Sequence, residues 1–142
     1  MTATTEEANS ERRPTILCID DDPDLSEALK LRLVQYGIDV IARYRGIDGF
    51  WAVLDTRPDA IICDLVMPGG EGNYIVGRLK SHARTKDVPI IILTGHGNNP
   101  AIKRQMMMLG ATAFLTKPLV FDELLDELRA VWPAQLSAAL GH

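Results

Sequence analysis

The sequence predicts an α/β fold, a doubly wound five-stranded parallel sheet in the order 2-1-3-4-5 with helices on both faces. Short apolar runs alternate with amphipathic stretches along the chain, which is typical of strands joined by crossover helices. The apolar runs are continuous, as expected of strands buried on both faces of a parallel sheet. Because no repeat or linker divides the pattern, one domain is expected over 15–132, between a disordered tail at 1–14 and a short tail at 133–142.

The elements follow from local signals of strand propensity, helical periodicity and turn residues. Strands are predicted at 15–19, 38–43, from 61 to 64, 89–93 and 113–115. Helices are predicted from the Asp22-Pro23 cap to about Tyr36, at 47–54, at 74–81, from the Asn98-Asn99-Pro100 turn to Gly110, and at about 120–132.

The first helix has a clear start and a clear end. Asp22 followed by Pro23 is typical of an N-cap with proline in the first turn, and Gly37 is a C-terminal stop. Leu31 and Val34 lie off the expected core face, either as ordinary surface apolar residues or as part of a docking patch. The residues expected to face the core are Leu25, Ala28, Leu29, Leu33 and Tyr36.

The fourth helix carries three consecutive methionines, a run wider than one core stripe. Met106 is expected to pack inward with Ile102 and Leu109. Met107 and Met108 then point outward, where they are either ordinary surface residues or part of a partner or dimer surface.

Composition excludes several classes of protein. The net charge of −4 gives no electrostatic reason to expect direct binding to nucleic acid. No apolar run approaches the ~18 residues that span a bilayer, and the N-terminus lacks the apolar core of a secretion signal. Cys18 and Cys63 fall inside apolar runs, so both are expected to be buried, reduced and structural. The protein is expected to be cytoplasmic.

Polar residues stand where the predicted strands end. Asp20 and Asp21 follow strand one, Asp64 ends strand three, Thr94 ends strand four and Lys117 follows strand five. In the order 2-1-3-4-5 these ends meet around one crevice at the switch point. Two like charges about 4 Å apart repel by roughly 4 kcal/mol at an effective dielectric near 20. Three carboxylates therefore require counter-charges, of which Lys117 supplies one and a divalent cation is the natural second.

The donor types indicate the chemistry. Carboxylate oxygens completed by water favour Mg²⁺ over zinc, which prefers His or Cys. A metal beside a carboxylate, a hydroxyl and an ammonium fits phosphoryl transfer, with the carboxylate attacking phosphorus. Gly95 places no side chain in the path of an incoming phosphoryl group. Taken alone, Asp64 also fits a turn or helix cap, and Thr94 and Lys117 also fit an ordinary strand end and a solvated lysine.

With these residues in order, the chain resembles the receiver domain of two-component response regulators over about 15–132. The resemblance rests on four motifs, one at each of four strand ends: Ile-Asp-Asp-Asp-Pro, Asp-Leu-Val-Met-Pro-Gly-Gly-Glu-Gly, Leu-Thr-Gly and Phe-Leu-Thr-Lys-Pro. Each motif alone is weak, but the four in register are specific. The resemblance implies a flavodoxin-like fold of the receiver type.

The resemblance also implies a metal-dependent phosphoacceptor site. Asp64 would take a phosphoryl group from a phosphohistidine on a histidine kinase or a histidine phosphotransfer protein. Asp21 and Asp64 would ligate Mg²⁺ (or Mn²⁺) directly, with the backbone carbonyl of Val66 as a third protein ligand. Asp20 would act mainly through water.

Further residues would bind the phosphoryl group and respond to it. The resemblance implies that Thr94, Gly95 and Lys117 surround the phosphoryl oxygens. Thr94 would then move toward the group and Phe114 would turn inward, reshaping the surface of helix four, strand five and helix five. Phe114 also fits a plain core position. Lys117-Pro118 resembles the frequently cis peptide of the family.

This reading predicts a signalling domain that modifies only itself and is not a conventional enzyme. No output domain is recognisable after Trp132, so the signal is expected to pass through an unknown downstream protein, and a homodimer is compatible with the sequence. Direct binding to nucleic acid or to membranes is not expected.

Alternatives remain open at this point. The chain fits a receiver-like interaction module that works without phosphorylation, although the complete acidic set argues against that. It also fits a receiver cut from a longer regulator. A phosphatase with an aspartyl nucleophile is disfavoured, because Val66 stands where such enzymes carry a second aspartate. A flavin-binding relative is disfavoured because the loop after strand one is acidic where a phosphate cradle needs Gly, Ser and Thr.

Overall fold

Five strands and five α-helices alternate in the part of the chain that this computed structural model describes, residues 13–65, 71–95 and 99–132. The strands are β1 (Thr15–Ile19), β2 (Asp39–Arg43), β3 (Ala60–Asp64), β4 (Ile90–Thr94) and β5 (Ala113–Thr116). The helices are α1 (Pro23–Leu33), α2 (Gly46–Thr56), α3 (Glu71–Ser81), α4 (Pro100–Leu109) and α5 (Phe121–Val131), and a 3₁₀ turn (Val34–Tyr36) follows α1. Each α-helix spans only ten or eleven residues, so none within the described ranges suits a membrane crossing.

The five strands form one parallel sheet in the order β2-β1-β3-β4-β5, which confirms the predicted topology. Ile19 pairs with Cys63, and Asp64 pairs with Leu93. The carboxyl ends of β1, β3 and β4 are therefore level with one another along one edge of the sheet. Most of the predicted tails, at 1–14 and 133–142, lies outside the described residues.

Helices cover both faces of the sheet, and each face has its own core. On one face α1 and α5 pack on the sheet, and the core includes Leu29, Leu33, Leu124 and Leu128. On the other face α2, α3 and α4 pack on the sheet, and the core includes Phe50, Val53, Ile75, Leu79 and Met106. All five residues of β3 and of β4 are buried, which explains why these strands are continuously apolar up to their last residue.

The two cysteines are free and buried on opposite faces of the sheet, Cys18 in one core and Cys63 in the other. Burial, reinforced by nearby carboxylates, raises the pKa of the Cys18 thiol to about 12. The pKa of Cys63 is raised for the same reasons. The expectation of buried thiols is therefore confirmed, and both stay protonated at neutral pH.

Helix ends follow the predicted cap residues. The Asp22 side chain accepts a hydrogen bond from the Asp24 N–H, and the Asn99 side chain caps α4 in the same way. Gly37 and Gly110 end their helical segments with φ of +74° and +110°. Glycine adopts these values without the strain that a side chain would add.

Two expected core positions are wrong. Ala28 is exposed and Ser26 is buried instead. A helix turns by about 100° per residue, so Ala28 lies a quarter turn away from the buried Leu29. Leu109 is also exposed, because it is the last residue of α4 and the chain reverses directly after it. Ala111, two residues further along the chain, is buried in the α2–α4 core instead.

Candidate functional site

Predicted site residues from four strands lie at the same edge of the sheet. Asp20 directly follows β1 and Asp64 is the last residue of β3. Thr94 is the last residue of β4, and Lys117 directly follows β5. Because the sheet is parallel and its order places β1 beside β3, these ends surround one crevice at the switch point.

Three carboxylates converge in this crevice. Asp20, Asp21 and Asp64 each offer an oxygen atom, and these atoms lie within 4.8 Å of one another. Asp20 and Asp64 are buried, with 1% and 4% of their surface exposed, whereas Asp21 is open to solvent. Oxygen atoms at this spacing match the ligand chemistry of a hard divalent cation such as Mg²⁺.

Lys117 supplies the positive charge among these acids. Its Nζ lies 2.9 Å from Oδ2 of Asp20 and 3.4 Å from Oδ2 of Asp64. Desolvation by burial acts to lower the pKa of Lys117, but the contact with Asp20 and the charges of Asp20 and Asp64 outweigh it, so the pKa is raised. The ammonium therefore stays charged and partly balances the two buried carboxylates.

The two carboxylate oxygens of Asp20 differ in their hydrogen bonding. Its Oδ1 accepts a hydrogen bond of 2.8 Å from the Asp22 N–H. Its Oδ2 is fully buried and lies 2.9 Å from the Lys117 Nζ, but it has no hydrogen bond of good geometry among the described residues. A buried oxygen in this situation gains from a cation ligand or a metal-bound water, so the donor set fits Mg²⁺.

Thr94 and Gly95 line the side of the crevice next to Lys117. Thr94 is buried, and its carbonyl oxygen accepts a hydrogen bond of 2.7 Å from the Lys117 N–H. Gly95 is exposed, and a Cβ built there would meet, among the described residues, only the Lys117 Cδ, at 3.8 Å. The peptide between Lys117 and Pro118 is cis, as the resemblance implied.

The remaining predicted positions are one half-buried residue, four exposed residues and one residue outside the described ranges. Phe114 is half-buried against the α2–α4 core and borders a cavity of about 360 Å³, together with Asn99, Pro100 and Lys103. The four partner-surface candidates are all exposed, at 66% for Leu31, 53% for Val34, 42% for Met107 and 82% for Met108. Val66, the proposed carbonyl ligand, lies outside the described residues.

Gly72 has a role at the site that the sequence pattern does not predict. A Cβ built at Gly72 would lie 2.2 Å from the carbonyl oxygen of Leu65 and 2.8 Å from that of Asp64. The first turn of α3 therefore rests directly on the backbone of Asp64 and Leu65. The glycine is visible in the motif after β3, but the atom it faces becomes apparent only in three dimensions.

Comparisons with known proteins identify the family of this chain. The family model for the response regulator receiver domain matches residues 16–129. The DNA-binding dual master transcriptional regulator RpaA of Synechocystis is 37% identical over 118 residues, which cover 83% of this chain and 48% of RpaA. Protein PilG of Pseudomonas aeruginosa is 29% identical over 84% of this chain and 87% of its own length.

Among solved structures, chemotaxis protein CheY4 of Vibrio cholerae superposes with a TM-score of 0.77 at 28% identity. The match covers 84% of this chain and 99% of CheY4. The chain spans about half the length of several curated relatives, including RpaA and the phosphate regulon regulator PhoB of Pseudomonas aeruginosa. On the match of the family model and of the fold, the chain belongs to the family of receiver domains of two-component response regulators.

Proposed function

We propose that this protein accepts a phosphoryl group on Asp64 from a phosphohistidine of a histidine kinase or histidine phosphotransfer protein. The observation that carries the proposal is the crevice in which Asp20, Asp21 and Asp64 offer oxygen atoms within 4.8 Å of one another beside the Lys117 ammonium. An oxygen of Asp64 attacks phosphorus, the P–N bond to the imidazole breaks, and its electron pair leaves with the histidine.

The acidic residues would hold the cation that this reaction requires. Asp21 and Asp64 are the direct ligands in the proposal, the Val66 carbonyl is a third, and Asp20 acts through water. Mg²⁺ or Mn²⁺ bound there would supply neutralising charge to the phosphoryl oxygens. The buried Asp20 Oδ2, which lacks a well-oriented hydrogen bond from the described residues, supports the assignment.

Lys117, Thr94 and Gly95 would bind the transferred group. The Lys117 ammonium, already 3.4 Å from Asp64 Oδ2, would pair with one phosphoryl oxygen. The hydroxyl of Thr94 would donate to another, and Gly95 keeps the approach clear of a side chain. Donors aimed at the equatorial oxygens stabilise the charge that develops during phosphoryl transfer.

The switch in this proposal links the phosphoryl group to the surface of α4, β5 and α5. Thr94 shifts toward the group, and Phe114 turns further inward. The cavity of about 360 Å³ beside Phe114 is space that such a change would alter. Two packings of nearly equal free energy at this place would let a local charge bias the whole surface.

The altered surface would act on another protein. Met107 and Met108 on α4 are exposed apolar residues next to this region, and methionine adapts well to a partner surface. Leu31 on α1 and Val34 in the 3₁₀ turn that follows it are further exposed apolar residues. We propose that the receiver, over residues 15–132, works in the cytoplasm through such protein contacts, with a homodimer as one of the forms they allow, and without direct nucleic-acid or membrane binding.

The test uses the full chain, Mg²⁺ and acetyl phosphate, with intact mass as the readout. The wild type is expected to gain one phosphoryl group, EDTA is expected to prevent it, and Asp64→Asn is expected to gain none. Asp126→Asn, which changes an exposed carboxylate on α5, is the matched control and should label normally. No added group would support the phosphorylation-independent module, and a group that survives Asp64→Asn would overturn Asp64 as the acceptor. Steady hydrolysis of a phosphomonoester would instead support a phosphatase.

A further inference from the structure

Asp22 lies next to the acidic crevice but is not among the converging carboxylates. Its exposed side chain caps α1, where Oδ1 accepts a hydrogen bond of 2.9 Å from the Asp24 N–H. Its own backbone N–H donates a hydrogen bond of 2.8 Å to Oδ1 of Asp20. Two hydrogen bonds in series therefore connect the first turn of α1 to the carboxylate of Asp20.

This connection determines where Asp20 points. The two oxygens of a carboxylate are rigidly linked, so a hydrogen bond that holds Oδ1 also fixes the direction of Oδ2. Oδ2 is buried, lies 2.9 Å from Lys117 Nζ and lacks a hydrogen bond of good geometry from the described residues. Asp22, whose N–H donates to Oδ1, has the extended backbone usual for an N-cap residue, with φ −92° and ψ 108°.

We propose that Asp22 is a positioning residue for the divalent cation. Its capping side chain locks the peptide that aims the Asp20 carboxylate into the crevice, and it does so without contacting the cation. The proposal rests on the Mg²⁺ site of the proposed function. What Asp22 contributes is an acceptor oxygen at the helix start, so asparagine, which caps comparably, should replace it.

A simple charge effect is the competing explanation, because any aspartate near a cation attracts it. Asp24 provides the matched control. It is exposed and lies in the same helical turn, and its backbone N–H, not its side chain, takes part in the cap. Asp24→Asn therefore removes one negative charge near the crevice and leaves both hydrogen bonds of the series in place.

General loss of stability is the second alternative, and Asn99 controls for it. Its side chain caps α4 by accepting hydrogen bonds from the N–H groups of Ala101 and Ile102, at 3.0 and 3.3 Å. Asn99→Ala removes a cap of the same kind from another helix. It should lower the stability of the metal-free protein about as much as Asp22→Ala does, without weakening Mg²⁺ binding.

The experiment is a calorimetric titration of each variant of the 142-residue chain with Mg²⁺. Asp22→Ala is expected to weaken Mg²⁺ binding about three- to tenfold, around the roughly fivefold change to which loss of a typical helix cap corresponds. Asp22→Asn, Asp24→Asn and Asn99→Ala are expected to stay within about twofold of the wild type. In the metal-free protein, hydrogen exchange at the backbone amide of residue 22 should be faster in Asp22→Ala than in the wild type and unchanged in Asp22→Asn.

The outcomes separate the two proposals. If the wild type binds Mg²⁺ and Asp22→Ala binds it equally well, the positioning role is overturned and the proposed function stands. The positioning role also fails if Asp22→Asn is as weak as Asp22→Ala, since the charge would then be the contribution. If the wild type itself binds no Mg²⁺, the metal site of the proposed function is overturned, and the positioning role falls with it.

Discussion

Lys117 places its Nζ 2.9 Å from Oδ2 of Asp20, although their strands, β5 and β1, are separated in the sheet by β3 and β4. The long lysine side chain therefore reaches across the strand ends to the deepest acid of the crevice. It also approaches Asp64, at 3.4 Å. The same ammonium that would later bind a phosphoryl oxygen thus holds the unphosphorylated site together.

Removal of this ammonium should destabilise the metal-free protein. Lys117→Met leaves Asp20 and Asp64 buried beside each other without their counter-charge. The Lys117 side chain is 28% exposed, so we expect a loss of about 1 to 3 kcal/mol, less than for a fully buried pair. Urea unfolding of both proteins in EDTA measures this difference. Equal stabilities at neutral pH would show that the ion pairs contribute nothing.

The same comparison has a defined pH dependence. The pKa of Lys117 in the folded protein lies above its ordinary value of 10.5, so the folded state holds this proton more tightly than the unfolded state. The stabilisation that the Lys117 ammonium contributes is therefore complete below pH 10.5, and it is lost as the pH rises through the higher pKa that Lys117 has in the folded protein. The stability difference between wild type and Lys117→Met should stay constant up to moderately alkaline pH and shrink beyond it. A difference that shrinks already at neutral pH would contradict the assignment.

The crevice was predictable because strand ends in a parallel sheet must meet at one edge. Each of the four buried or partly buried site residues follows an apolar run, and the strand order brings their strand ends together: Asp20, Asp64, Thr94 and Lys117. The sequence does not reveal that Lys117 sits closer to Asp20 than to Asp64, because that depends on the path of a flexible side chain. The core position predicted for Ala28 is wrong for another reason. Short apolar residues occur on both faces of a helix, so composition alone does not assign them to the core.

Gly72→Ala should damage the site through the backbone. The new Cβ would lie 2.2 Å from the Leu65 carbonyl oxygen, and a backbone atom cannot move away as a side-chain end can. We expect a loss of about 1 to 3 kcal/mol in stability. Displacement of the adjoining Asp64 should also slow phosphoryl acceptance, by up to about 100-fold. Acceptance rates from acetyl phosphate, measured on protein shown to be folded, check this. An unchanged rate would mean that the contact does not position Asp64.

Two helical glycines should respond to alanine in opposite directions. A Cβ at Gly49 in α2 would lie 2.4 Å from Cδ1 of the fully buried Ile19, so Gly49→Ala should cost about 1 to 3 kcal/mol. A Cβ at Gly77 in α3 would meet no atom of the described ranges within 4 Å, so Gly77→Ala should stabilise the protein by about 0.5 to 1 kcal/mol. Thermal unfolding of both variants measures the contrast. A Gly49→Ala variant that is as stable as the wild type or more stable would show that the close approach of α2 to β1 is wrong.

Some glycine positions are predictable from the local sequence, and others are explained only by contacts between elements of the fold. Gly37 and Gly110 were predictable helix stops, since both follow a helical pattern directly and both adopt positive φ. Gly49 and Gly72 lie near helix starts, where local propensity gives no reason for glycine. Their reason is the distance to Ile19 and to Leu65, which belong to other elements of the fold.

The most direct test of the central claim is to map the phosphorylated residue itself. Wild-type protein labelled with acetyl phosphate and Mg²⁺ is treated with borohydride, which reduces an aspartyl phosphate to homoserine, and its peptides are sequenced by mass spectrometry. The geometry of the crevice predicts homoserine at position 64 and unmodified aspartate at positions 20 and 21. Homoserine at Asp20 or Asp21, or a phosphoryl group on any other residue with Asp64 unmodified, would contradict the account.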